Sequence, residues 1–385
     1  MKCIWKIPVK ALPVILLFAF SINSAGASDP NSVPARRDRT KLKVTIDPRV
    51  ELMGVIFHLA GNPEYNKCKS MPYMGNLNEH FAGHRDHPAV KMAKKLRETR
   101  GVSYDAVMGM AVHIEDINSC GEIVPFEPRP DTLDGRWRID EAREFLDNCR
   151  DFVKETDFTA FLAKNQSQHD TAVARLQQLI DANANLAWFD EFFGSRDDVD
   201  FNLVISILNG PGNYGCRVRL EGRTKIYSVL GAWRIDWLGW GNPTFDPGVV
   251  STVVHEFGHS YCNPLVDKYM EDFRSFGEKY FPRVEKQMKG QAYGSWQTMM
   301  RESLVRACEV RYAMANDGRE QAEQRANYHI SCGFHWTNEL SELLGQYEKQ
   351  RDKFQTLDAF MPEIVELFQN YDGPPKKKPL PGGEG

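Results

Sequence analysis

Two histidines four residues apart, with a glutamate after the first, stand in Val253-Val254-His255-Glu256-Phe257-Gly258-His259-Ser260-Tyr261, an HExxH pattern. On an α-helix, residues i and i+4 lie one turn above each other, so His255 and His259 can present two imidazole nitrogens to one zinc ion. Glu256 then flanks the metal, where its carboxylate can take a proton from zinc-bound water whose pKa the ion lowers toward about 7. The competing reading is two packed histidines on an apolar helix. Against it, no charged residue other than Glu256 lies between Pro247 and Asn263, a composition that fits a helix in the floor of a cleft. Asp246 and Pro247 mark a helix start and Asn263-Pro264 a stop.

A catalytic zinc takes three protein ligands and keeps one position open, so a third ligand is required. The sixth residue past His259 is Leu265, which excludes a histidine there. Glu302 is the strongest candidate, on a helix expected over 295–316 whose Met299, Met300, Leu304, Val305 and Cys308 mark it as buried. A carboxylate in such surroundings needs a partner, and Arg306 at i+4 offers the plainer one. Asp267 and Cys262 are rivals for the ligand position, Cys262 being equally a core thiol or half of a disulfide. Glu309 is placed to hold a histidine from behind. Tyr293, Tyr312, His329 and His335 are conceivable donors to an oxyanion, each also readable as an ordinary packed or surface side chain.

Around these residues the chain reads as α+β and mostly helical. Helices are expected at 48–59, 87–99, 103–113, 139–164 and 167–193, and again at 247–261, 265–279, 295–316, 318–330, 335–352 and 356–370. Between the two sets, Phe201 to Leu208, Cys216 to Leu220 and Lys225 to Leu230 alternate or run apolar between turn signals, predicting a small antiparallel or mixed sheet beside the HExxH helix. This gives an N-terminal helical region at 41–199, a catalytic region at 200–371, and a Pro-, Gly- and Lys-rich tail at 372–385. His80, His84 and His87 are too irregularly set around Gly83 and Pro88 to favour a second metal site. Trp233, Trp237 and Trp240 could stack on a sugar or line a peptide groove, against the plainer reading of a packed loop.

Composition bounds the function. The 385 residues carry 48 Lys plus Arg against 52 Asp plus Glu, an excess of acid that argues against phosphate-backbone neutralisation and so against nucleic-acid binding. The one long apolar run, Ala11 to Phe20, follows Lys2, Lys6 and Lys10 and precedes Ala25-Gly26-Ala27, the order of a cleaved signal peptide over 1–27 followed by a flexible lead-in at 28–40. Export to a periplasmic or extracellular space is therefore expected, with no stable membrane span after cleavage. It would leave seven cysteines, at 68, 120, 149, 216, 262, 308 and 332, an odd number in a compartment that permits disulfides.

VVHEFGHSYCNP followed by MMRESLVRA resembles the zincin metallopeptidases, in particular the gluzincins, whose third ligand is a glutamate on a later helix. More narrowly, ELMGVIFHLAG, the PEY at 63–65, HPAV at 87–90, GVSYDAV at 101–107 and NYG at 213–215 are similar to a family of exported bacterial proteins known as a domain of unknown function. The resemblance implies a zincin-like catalytic fold, zinc on His255, His259 and Glu302, and Glu256 as the base. It also implies an edge strand receiving extended substrate, for which the Asn213-Tyr214-Gly215 loop and the strand at 225–230 are the candidates. The pattern departs at Arg306, where the best-known gluzincins have an acid. The expected function is an exported zinc metallopeptidase acting on peptide or protein substrates. The alternative is a non-catalytic binding or envelope-associated protein on the same scaffold.

Overall fold

The computed structural model describes residues 42–196, 198–232, 234–236 and 241–373. The expected signal segment, lead-in and most of the tail lie outside them, as do Trp233, Trp237 and Trp240. The three apolar runs anticipated as strands become β2 (Val199–Ser206), β3 (Tyr214–Leu220) and β4 (Arg223–Gly231), and a further short strand that was not anticipated, β1 (Val44–Ile46), joins them in one sheet of order β1-β2-β4-β3. A two-stranded ribbon of β5 (Arg234–Ile235) and β6 (Pro243–Thr244) follows. The sheet is mixed rather than antiparallel: β1, β2 and β4 are parallel, and β3 alone runs against β4. Two reversals explain this. The chain turns back after β2 at Gly210 to Asn213, then again through Glu221 and Gly222, whose positive φ angles of 49° and 76° suit a tight hairpin. β4 therefore returns in the direction of β2 and pairs with it, leaving β3 at the edge.

The helices before the sheet are α1 (Pro48–Leu59), α2 (Met71–His80), α3 (Pro88–Arg100), α4 (Asp105–His113), α5 (Ile139–Glu155), α6 (Phe158–Lys164), α7 (Gln166–Asn183) and α8 (Ala187–Phe193). After it come α9 (Val249–Lys268), α10 (Arg274–Gly290), α11 (Trp296–Asn316), α12 (Arg319–Ser331), α13 (Thr337–Lys349) and α14 (Leu357–Gln369). The fold is α+β and mostly helical. Side chains of β3 alternate between faces, and Gly215 lies against Glu256 of α9 while Cys216 points its sulfur toward the Asp105 carbonyl of α4. Hence α9 and α4 cover opposite faces of the sheet. A single cluster of buried apolar side chains extends from Leu42 to Tyr371, so the helices on either side of the sheet in sequence share one core.

Three expectations fail for tertiary reasons. The helix predicted over 139–164 breaks at Thr156, and Asp157, with φ 47°, caps α6. The helix predicted over 167–193 breaks at 184–186, where the Asn185 amide donates to the Tyr312 hydroxyl at 2.8 Å instead of continuing the helix. Asn263-Pro264 does not stop α9, which runs on to Lys268 with Pro264 inside it, so the helix expected at 265–279 becomes α10 at 274–290. An interior proline costs roughly 3 kcal/mol, but Tyr261, Cys262 and Val266 are buried on both sides of it and hold the helix in register. At its other end, Asp246 accepts from the Gly248 amide at 2.9 Å, the predicted start displaced by two residues.

Among the described residues no helix is long and apolar enough to cross a membrane. The placement of β3 depends on Gly231, where a Cβ would lie 2.1 Å from the Gly210 carbonyl oxygen and 2.6 Å from that of Gly212. Gly231→Ala is expected to destabilise the fold by about 3 kcal/mol, as for other overpacked sites, measured by urea denaturation.

Candidate metal centre

α9 is fixed to the sheet and to α8 by its aromatic stripe: the Phe257 ring lies 4.4 Å from that of Phe201 in β2 and the Tyr261 ring 4.5 Å from that of Phe193 in α8. Residues two positions apart on a helix lie on nearly opposite sides, so packing Phe257 on the sheet turns His255 and His259 the other way. There they meet α11, whose start is capped by Ser295 accepting from the Thr298 amide at 3.2 Å. α11 brings Glu302 and Glu309, each about 5% exposed, against the two rings.

The His255 and His259 Nε2 atoms are 3.1 Å apart, and Glu302 lies 3.6 Å from the first through Oε2 and 3.3 Å from the second through Oε1. Ligand atoms about 2.0–2.2 Å from a tetrahedral zinc stand about 3.3 Å from one another, so the donors have the spacing such an ion requires. Among the described residues this is the group of His, Cys, Asp and Glu side chains that could hold a metal.

Hydrogen bonding strengthens the case. His255 Nδ1 lies 2.6 Å from Glu309 Oε1, and His259 Nδ1 lies 3.2 Å from Asn263 Oδ1. Each acceptor calls for the proton on Nδ1, which leaves both Nε2 lone pairs facing one another beside the carboxylate of Glu302. Glu302 Oε2 is buried without a hydrogen-bond partner. Three converging acceptors need a positive charge. The electrostatics lean the same way: burial pushes the His255 imidazole down, but Glu309 and Glu302 outweigh burial and raise it to about 9. The same forces act on the acids. Burial would raise Glu302 and Glu309, yet both are lowered, Glu302 by His259 and His255 with Arg306, and Glu309 by His329 and His255. Glu256 is raised, because burial and the two neighbouring carboxylates prevail over the imidazoles.

Behind the ligands, Arg306 sits 3.4 Å from Glu302 through Nε, 2.9 Å from His329 Nδ1 and 3.0 Å from the Tyr293 hydroxyl. His329 in turn lies 3.5 Å from Glu309. The pairing of Glu302 with Arg306 and its place among the histidines are therefore both present, in a buried network rather than on a solvated face. Of the rivals, Asp267 pairs with Arg301 at 2.6 Å, and Cys262 points its sulfur at Cys308. Of the conceivable oxyanion donors, Tyr293 stands beside Glu302. Tyr312 accepts from Asn185, His329 is enclosed behind Glu309, and His335 lies in the turn before α13. His80 contacts the Thr156 carbonyl and His87 caps α3, so they do not converge.

A cleft of about 370 Å³ opens beside His259, walled by Gly215 and Arg217 of the edge strand, Asp105 and Gly109 of α4, and Asp134 of the 131–135 loop. Arg136 ties that loop to α4, reaching Asp105 at 2.6 Å and Asp134 at 2.8 Å. A Cβ at Gly215 would stand 3.0 Å from Glu256 Oε2, so glycine there gives the Glu256 carboxylate its room. In the sequence Asn263 stands out as a helix stop, although its spacing from His259, one turn on, is the available signal for its contact. Asp105 and Asp134 carry no comparable signal.

Residues 42–367 match the family described as "Domain of unknown function (DUF4932)". The chain belongs to that family. Its extent includes every residue of the centre, from Asp105 in the cleft wall to His329 behind Glu309. No curated protein and no solved structure matches the chain.

If Glu309 orients His255, Glu309→Ala should weaken zinc binding about 10- to 100-fold, the usual effect of removing a carboxylate behind a ligating histidine, while Asp267→Ala leaves it unchanged. Competition with a chromophoric chelator measures both.

Proposed function

We propose that this chain is an exported zinc-dependent hydrolase of the zincin type that cleaves peptide bonds. The observation that carries the reading is the convergence of His255, His259 and Glu302 at metal-ligand spacing, next to the half-buried carboxylate of Glu256 and an open cleft. A zinc ion bound there supplies a lowered water pKa and a polarised carbonyl. Glu256 takes the proton of the attacking water on its carboxylate and returns it to the leaving nitrogen, a role served by a raised pKa, which brings a carboxylate closer to the operating pH. The main chain of β3 receives an extended substrate along its free edge by strand addition, with Gly215 keeping the backbone close to Glu256. Tyr293, hydrogen-bonded to Glu302, is the donor to a developing oxyanion. The charged, apolar and small-residue order of residues 1–27 supports export.

Cleavage of a proteome-derived peptide library, with chelator and zinc add-back, tests the reading. Glu256→Gln should retain about one zinc per chain and lose at least about 10²- to 10⁴-fold in turnover, the range for loss of a general base. Cleavage undiminished in that variant overturns the mechanism. A library left intact by zinc-loaded wild type supports the non-catalytic binding reading instead.

A further inference from the structure

Each of the two helices that carry the centre also carries a buried cysteine. Cys262 follows His259 by less than one turn on α9, and Cys308 precedes Glu309 on α11. Both are at most 2% exposed, and their sulfurs are 3.8 Å apart, in van der Waals contact across the helix pair. Among the described residues theirs is the cysteine pair with a direct sulfur–sulfur contact. All seven described cysteines, this pair included, are free thiols, and Cys68, Cys120, Cys149, Cys216 and Cys332 have no sulfur partner of this kind. A disulfide bond of about 2.05 Å needs each sulfur to move by less than about 1 Å, within the reach of side-chain rotation.

We propose that Cys262 and Cys308 form a disulfide that ties α9 to α11 directly behind the metal centre. The chemistry is exchange with an exogenous disulfide such as oxidised glutathione. One protein thiolate attacks it and expels a thiolate, and the second protein sulfur then displaces the other half. One S–S bond forms in the protein and one breaks in the oxidant, which is reduced to two thiols carrying the two protons the cysteines lose. Because both sulfurs are enclosed in the folded protein, the bond forms while the helices are still separating and closing, and is then shielded from reductant. Its place gives it a purpose. Glu256, Glu302 and Glu309 crowd acid between the two helices, and the link holds those helices together when no cation is bound.

The test is to refold the protein in a glutathione redox buffer, alkylate it in denaturant, and digest it without reduction. The expected result is a joined pair of peptides two hydrogens lighter than their sum, with Cys262 and Cys308 unalkylated. Cys308→Ser should release Cys262 to the alkylating agent. Alkylation of both residues in oxidised wild type, or Cys262 joined to a different cysteine, overturns the proposal. Reduction should also shift the unfolding equilibrium of metal-free wild type on the order of 10²- to 10³-fold, as expected for closing a loop of this length, and leave the Cys262→Ser/Cys308→Ser double variant unchanged. No shift in wild type counts against the link. The mass readout needs neither zinc nor turnover, so it stands or falls apart from the hydrolase reading.

Discussion

The side chains of His255, His259 and Glu302 converge between α9 and α11, and the surrounding structure makes sense as the means of holding them there. The His255 and His259 lone pairs and the Glu302 carboxylate would repel one another if nothing positive lay between them. Bringing them together buried is costly unless a cation or a proton compensates. The neighbouring groups are arranged for that compensation. Glu309 and Asn263 fix both imidazoles in one tautomer, and Arg306 with Tyr293 steadies the carboxylate from the far side. Such partners set the orientation and basicity of ligands as much as the ligands themselves do.

The sheet supplies rigidity and an opening. β2 and β4 are flanked by strands on both sides, while β3 is paired only on its β4 side and faces the cleft with the other. The packing of Phe257 on Phe201 fixes the rotation of α9 about its axis and so determines that the histidines face α11 while Glu256 faces β3. Glu256, His255 and His259 are carried on one rigid helix and keep their mutual geometry without depending on loops. The cleft wall opposite is assembled from α4 and the 131–135 loop, more than a hundred residues earlier in the chain, joined by the Asp105–Arg136–Asp134 contacts.

Much of the centre was legible in the chain because helical spacing is a local property. His255, Glu256 and His259 follow from one turn of helix, and Glu302 from a carboxylate stranded among Met299, Met300, Leu304 and Val305. The role of Arg306 was not legible, since sequence presents it as a simple i+4 partner and only the packing of α12 brings His329 to its guanidinium. Pro264 misled for a related reason: its local preference is to end a helix, and burial of Tyr261, Cys262 and Val266 outweighs the loss. The break before α8 likewise depends on Tyr312, far along the chain, accepting the Asn185 amide.

The amino-acid sequence alone determined the helical class, the short strands, and which residues on α9 and α11 share a face, because 3.6-residue and two-residue periodicities are written in neighbouring side chains. Tertiary structure decided the parallel pairing of β2 with β4, the edge position of β3, the contact of Glu309 with His255, and the meeting of Cys262 with Cys308. Those depend on how separate elements rotate and dock, and that is set by the summed burial of side chains from Leu42 to Tyr371, a sum that no local window contains.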